Sequence, residues 1–306
     1  MATSREWIDH PDLGSNVLEV LRRLKRDGVV LTDRQEARLA ELEVQAADQS
    51  ASKDADAGVG FIAPLDPIDI SDLSAEKLAE LMVDKTDFTT REGRAAGGLE
   101  VLIQRGESKK LLEAVRLAAA RHAPRPSLEV AGGVVIDAFP DRAARYLLAV
   151  AEDERKRAGD YQISRDELLA TWDRLEPMAM AAERGGIADS SREELFKAIN
   201  HPAGKLAQAL FATLVPQSVL RLSQLDPALK ERVERNIDRP GSAGRAFLAI
   251  AASRLFILHF AEPEWTKCTL VPHFGWKNVA RARTAWQGFL WAPSIDPELY
   301  AQLRDS

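Results

Sequence analysis

This chain of 306 residues predicts an all-α fold, on three observations. Apolar residues return at three- and four-residue spacing along nearly the whole length, the period of a helix with one buried face. Residues that cap or open helices stand just before those runs. Strand-like alternation never lasts more than a few residues. Short connections between the runs make neighbouring helices antiparallel, so the expected architecture is an irregular helical-repeat, solenoid-like array closed by a Trp-rich C-terminal helical part. Any repeat is one of structure only, since Leu111–Leu117 and Tyr146–Val150 share an apolar rhythm but no residue signature.

The elements follow in order. Asp12 or Ser15 caps a first helix with Val17, Leu18, Leu21 and Leu24 on its buried face, and Gly28 closes it. Thr32 and Gln35 have the spacing of a capping box, which opens a second helix through Ala37, Leu39, Leu42 and Val44. Residues 1–45 are therefore a helical pair. Residues 46–66 form a flexible linker, because Ala46–Gly60 is small, polar and without period. Further helices are expected over 74–83, 91–105, 107–121, 127–138, 140–158, 164–183, 190–199, 203–223, 227–236, 243–260, 278–291 and 296–304. Ser74, Ser164, Pro202 and Asp226 are among the residues that mark their starts. Val130–Ile136 is the most β-rich stretch, and its flanking signals favour a helix there too. Residues 67–189 make the solenoid-like region and 190–306 the compact Trp-rich one.

Composition bounds the function. With 45% of residues hydrophobic, the chain can bury a sizeable core in one elongated domain or two compact ones. A net charge of −6 repels a phosphate backbone, so nucleic acid would need a local basic patch. Arg22, Arg23, Lys25 and Arg26 come closest, and on a helix they read as a solvated face. The single cysteine, Cys268, excludes an internal disulfide and suits a reducing cytosol; Met1–Arg5 opens without the apolar core of a secretory signal. The apolar run Ala246–Ala261 is broken by Arg254 and His259 and falls short of the ~20 residues that span a bilayer, so it reads as a buried central helix.

Chemistry-bearing residues are sparse. His259, Glu262, Glu264 and His273 could supply a metal site, but Pro263 breaks the register that would put His259 and Glu262 on one helical face. Asn200-His201-Pro202-Ala203-Gly204-Lys205 has a Gly-Lys pair at a helix start, yet lacks the strand, first glycine and following hydroxyl of a phosphate loop, and so reads as a turn with Pro202 at the first helical position. Pro240–Arg245 could greet an anion at a helix start, although its glycines fit close packing better. Cys268 sits in core-like surroundings as a structural thiol. The neighbouring carboxylates Glu152–Glu154, and likewise Glu193 and Glu194, point in different directions on helices. No catalytic, cofactor-binding or metal-binding residue is assigned.

The most distinctive passages are Glu262–Trp276 and Ala285–Pro293, which hold four of the six tryptophans. Large rings at helical spacing among prolines suit the packed end of a scaffold, since Trp brings buried area but no nucleophile or ligand. Asn200, His201, Pro202 and Gly204, then Trp265, Leu270, Pro272 and Trp276, then Trp286 and Gly288, in that order, resemble the helical C-terminal domain that follows a sirtuin-like NAD-hydrolysing domain in certain bacterial antiphage defence proteins. The resemblance extends loosely back through Leu168–Trp172. It implies a scaffold or sensor role beside an NAD-consuming effector, with that effector domain or a phage component as protein partner, and no cofactor held by this chain. The family's nucleotide-binding turn and strand-rich catalytic half are missing here, so the chain is either the C-terminal portion of a longer protein or a separate subunit.

Two other functions compete. An enzyme could assemble a site from distant loops with His259, His273 and Lys205. A nucleic-acid scaffold could use Arg22, Arg23, Lys25 and Arg26 with Arg121, Arg125, Arg142 and Arg145. The leading expectation is a non-enzymatic, cytoplasmic helical interaction protein that neither binds nucleic acid nor enters a membrane.

Overall fold

The computed structural model of the chain describes residues 17–18, 21–22, 25, 31–52, 70, 72–84, 98–122, 128–130, 133–135, 139–157, 160–182, 194–213, 224–294 and 297–305. Its helices are α1 (Asp33–Ser52), α2 (Ala75–Asp84), α3 (Val101–Gln104), α4 (Ser108–Arg121), α5 (Phe139–Lys156), α6 (Arg165–Ala181), α7 (Glu194–Asn200), α8 (Pro202–Ala212), α9 (Pro227–Ile237), α10 (Gly241–Ala252), α11 (Leu255–Ala261), α12 (Pro263–Thr269), α13 (Val279–Trp291) and α14 (Pro297–Asp305), with a 3₁₀ turn over Val271–Phe274. The fold is all-α in class. The chain divides into two compact units, one of Met1–Pro64, Ser190–Leu195 and Ala251–Ser306, the other of Leu65–Asp189 and Phe196–Ile250.

Several expected boundaries move, each for a local reason. Where a helix was expected over 127–138, strands β1 (Leu128–Val130) and β2 (Gly133–Val135) pair antiparallel, Leu128 opposite Val135. β-Branched valines beside a glycine pair disfavour helix, and a two-residue connection is the commonest hairpin length, so this local chemistry outweighs the flanking helix signals. The apolar run expected as one helix over 243–260 breaks between Ala252 and Leu255, where Arg254 N–H donates to Ala251 O at 3.0 Å. Both halves are apolar, so periodicity carries no mark of the break. Pro263 opens the unanticipated α12, as its missing N–H allows at a first turn. The second helix continues through Ser52, past the expected linker start; the rest of that linker, 53–66, lies outside the described residues, as do 91–97 and 214–223 of two expected helices.

In the larger unit, α5 is the central element, touching α2, α3, α4, α6 and α8. Gathering around one helix differs from stacking on sequence neighbours alone, and the solenoid-like arrangement is not confirmed. Phe139, Tyr146, Leu147 and Val150 of α5 are buried with Leu111 and Val115 of α4 and Leu206 and Leu210 of α8. The polar groups that go inside are bound. Ser108 of α4 donates to Asp153 of α5 at 2.7 Å, and buried Glu154 accepts from the N–H groups of Gln162 and Ile163 at 2.9 and 3.3 Å, tying α5 to the start of α6. Ser164 and Glu167 then close a capping box at that start.

Candidate functional site

The Asn200–Lys205 motif is a joint between helices. Asn200 ends α7, its side-chain N–H donating to Phe196 O at 2.9 Å. His201 takes an extended backbone (φ −79°, ψ 141°), which stops the helix, and its Nδ1 accepts the Ala203 N–H at 3.1 Å as the N-cap of α8. Pro202 opens α8 as expected, while the capping atom belongs to the preceding histidine. The Nε2 of His201 lies 3.4 Å from the hydroxyl of Ser242 on α10. Gly204 is there because of a close approach: a Cβ would sit 1.8 Å from the Ala198 carbonyl oxygen of α7. Gly244 meets Arg239 O in the same way and so serves packing, whereas Gly241 has open space around it and takes a left-handed φ of 82° that favours glycine. Lys205 binds Asp141, in the first turn of α5, at 2.7 Å.

One residue further, Leu206 O accepts the indole N–H of buried Trp172 on α6 at 2.8 Å. Above that indole runs an arginine ladder that no sequence signal had marked. Arg232 and Arg235 of α9, with Arg239 beyond it, fall three and four residues apart, and Asp173 and Glu176 of α6 fall three apart. Arg232 forks onto both oxygens of Asp173; Arg235 reaches Asp173 and Glu176, each at 3.0 Å; Arg239 reaches Glu176 at 2.7 Å. The guanidinium carbons of Arg232 and Arg235 are 5.9 Å from the Trp172 ring centre, near the reach of a cation–π contact. Asp226 divides its oxygens, one on the Ala228 N–H to cap α9 and one on Arg165 of α6.

The tryptophan passages build a second arrangement, in the other unit. Trp286 of α13 is buried, and its N–H donates to Phe274 O at 3.1 Å. Its ring meets Phe274 edge-on at 5.1 Å and Phe289 at 6.0 Å, a three-ring knot in the favoured perpendicular geometry. Leu270, at the end of α12, and Gly288 on α13 are buried; Pro272 is exposed in the 3₁₀ turn; Trp265 and Trp276 are partly exposed. Asn278 caps α13 by accepting the Arg281 N–H at 3.2 Å. In the same unit, large apolar side chains stand in solvent: Phe260 on α11, Trp291 closing α13 and Tyr300 on α14, at 51%, 64% and 52% exposure.

The remaining candidates disperse. His259 is buried on α11, Glu262 precedes Pro263 between two helices, Glu264 is exposed and His273 lies in the 3₁₀ turn; among the described residues, no group of three or more His, Cys, Asp or Glu side chains is placed to hold an ion. Lys205 belongs to the other unit from His259 and His273. Cys268 is exposed on α12, correcting the core-like expectation, because the helix opened by Pro263 turns that position outward.

The arginines of a possible basic stripe are engaged locally. Arg22 binds Glu43, Arg121 donates to Glu76 O, and Arg145 binds Glu100 at 2.8 Å and Tyr146 Oη at 3.2 Å. Arg142 is buried, and burial lowers its affinity for its proton. Burial likewise raises the Tyr146 phenol above its usual range, against the pull of Arg145. Arg23, Arg26 and Arg125 lie outside the described residues. No single helix among the described residues is long and apolar enough to cross a membrane. The chain matches no family model, no curated protein and no solved structure.

Proposed function

We propose that this chain is a helical interaction module whose C-terminal helices present aromatic side chains to a protein partner. The observation that carries the reading is the exposure of Phe260, Trp291 and Tyr300 on helices of the unit that holds the Trp286 knot. Aromatic side chains on rigid elements are the residues that dominate protein interfaces. Spending three of them on solvent, beside a core that buries Phe274 and Phe289, favours contact with another protein. The resemblance of the Asn200–Gly204 and Trp-rich motifs supports a sirtuin-like NAD-hydrolysing effector as that partner, with this chain regulating or assembling it, or sensing a phage component for it. No residue of this chain is assigned to NAD cleavage.

The test is NAD turnover by a sirtuin-like effector, supplied in cis or in trans, with and without this chain and with its Phe260→Ala/Trp291→Ala/Tyr300→Ala variant. The expected outcome is a change in turnover of roughly 5–150-fold that the triple variant loses, matching the usual range of regulatory coupling. Turnover that scales with the chain alone, or an effector indifferent to it, overturns the reading.

A further inference from the structure

We infer that α9 is a splint across a proline hinge in α6: the arginine ladder keeps the turn that Pro177 weakens in helical form, and the last turn of α6 comes loose when the ladder opens. The inference does not rest on the proposed interaction role.

The weak point is set by covalent chemistry. Pro177 lies inside α6, four residues after Asp173. Its ring nitrogen carries no hydrogen, so the Asp173 carbonyl loses the N–H it would accept in an unbroken helix, and the ring crowds that carbonyl. The residue before a proline is pushed away from helical dihedrals as well, and that residue is Glu176. Yet α6 continues through Ala181.

The two residues that the proline disfavours are the two that carry the ladder's carboxylates. Arg232 grips Asp173 by both oxygens, and Arg239 grips Glu176 at 2.7 Å. Arg235 spans the turn, its Nη2 reaching Asp173 and Glu176 at 3.0 Å each. Three residues rise ~4.5 Å in a helix and ~10 Å in extended chain, so one nitrogen can bridge the pair only while the turn stays helical.

The arginine side is the firmer one. α9 runs beside α6 in the same direction, since Arg165 pairs with Asp226, Asp173 with Arg232 and Glu176 with Arg239 in ascending order. Asp226 caps its start, Leu229, Val233 and Ile237 bury its apolar face, and the Arg239 carbonyl is packed against Gly244 of α10. Fixed at both ends, α9 can brace a helix that carries a break. The brace is also open to release: the Arg235, Arg239 and Asp173 side chains are 37%, 40% and 39% exposed, within reach of salt. Once the bridge is lost the proline's preference returns, and the bend falls at Glu176.

Hydrogen exchange on the full chain tests the splint, with the Leu168–Trp172 amides as internal reference. In Arg235→Gln/Arg239→Gln, which leaves Arg232 on Asp173, the Met178–Ala181 amides should exchange at least about tenfold faster than in the native chain, as expected for the loss of one charge-assisted bond. In a Pro177→Ala background the same pair of substitutions should change them less than about threefold, because an unbroken turn needs no brace. Rising sodium chloride should reproduce the acceleration in the native chain and not in Pro177→Ala. Equal acceleration in both backgrounds would make the ladder an ordinary tertiary contact and overturn the inference, as would unchanged exchange in the ladder variant. If that variant does not fold, the salt titrations of the native chain and Pro177→Ala decide by the same criterion.

Discussion

The joint around Trp172 and the knot around Trp286 solve the same problem, seating a tryptophan between helices, with opposite chemistry. In the larger unit the indole is overlaid by guanidiniums, and the helices are fastened by Lys205–Asp141, Arg232–Asp173 and the shared carboxylate Glu176. In the other unit the indole lies between two phenyl rings and is fixed by one hydrogen bond to Phe274 O. An apolar knot depends on shape and tolerates salt and acid. A charged ladder sets register and direction, because only one alignment brings each arginine to a carboxylate. The difference teaches where sensitivity to conditions resides: on this reading it belongs to the larger unit, and the Trp286 unit acts as the fixed platform for the exposed aromatic side chains.

The largest effects should come from the two indoles. Trp172→Ala and Trp286→Ala are each expected to cost about 3–5 kcal/mol, through lost burial and the cavity left behind. Trp265 and Trp276 are partly exposed and should cost clearly less. Urea unfolding followed by hydrogen exchange, which reports each unit separately, makes the comparison. Equal losses at all four positions would erase the distinction between seated and peripheral rings.

Next comes Gly204→Ala. Alanine ordinarily gains up to ~1 kcal/mol over glycine inside a helix. Here the added methyl meets the Ala198 carbonyl at 1.8 Å, and a backbone atom must move. The expected net loss is about 3 kcal/mol, at the upper end of overpacking costs. A stabilised variant would show that α7 and α8 are less closely joined than described.

Glu176→Gln sharpens the contrast in charge. This carboxylate is 5% exposed and accepts from Arg235 and Arg239, while both arginines keep partial access to water. Water can compensate them, so the loss should be about 2 kcal/mol, in the range of hydrogen bonds to charged groups. High salt should narrow the gap between native and variant in the larger unit and leave the Trp286 unit unaffected.

Much of the fold was legible because helices announce themselves locally. The capping box at Thr32, the helix starts marked by Ser164 and Asp226 and the proline start of α8 stand where their residues predicted. What stayed hidden depends on distance or on competition between local signals. The ladder joins residues 59 to 63 positions apart, and one sequence carries no trace of which helix meets which. The hairpin at 128–135 was a contest between β-branched valines and neighbouring helix signals. The cap at His201 is legible in the sequence, since an imidazole just before a proline-initiated helix is a capping acceptor. Phe274 and Phe289, which complete the knot, looked like ordinary apolar positions beside the tryptophans.

The smallest effect separates the units by acid. Glu167, at the third position of α6, accepts from the Ser164 N–H and the Ser164 hydroxyl, and these two bonds, the backbone one leading, hold its carboxyl below the usual range against a slight opposing effect of burial. A carboxylate with a depressed folded pKa contributes stability that is complete above the unfolded value near ~4.3 and is lost as pH falls through the folded one. The group is partly exposed, so solvent screening keeps the contribution small. Ser164→Ala removes the cap at about 1 kcal/mol near neutral pH, a typical N-cap loss. Below about pH 4 its difference from the native chain should shrink, because protonated Glu167 accepts less well from the Ser164 hydroxyl, the one of its two Ser164 bonds that alanine lacks. The check is the thermal midpoint of the larger unit in both proteins between neutral and acid pH, read by hydrogen exchange against the Trp286 unit as internal reference. A difference that stays constant through the acid range would place the cap's worth in the serine oxygen alone and remove titration of Glu167 from the account of this unit.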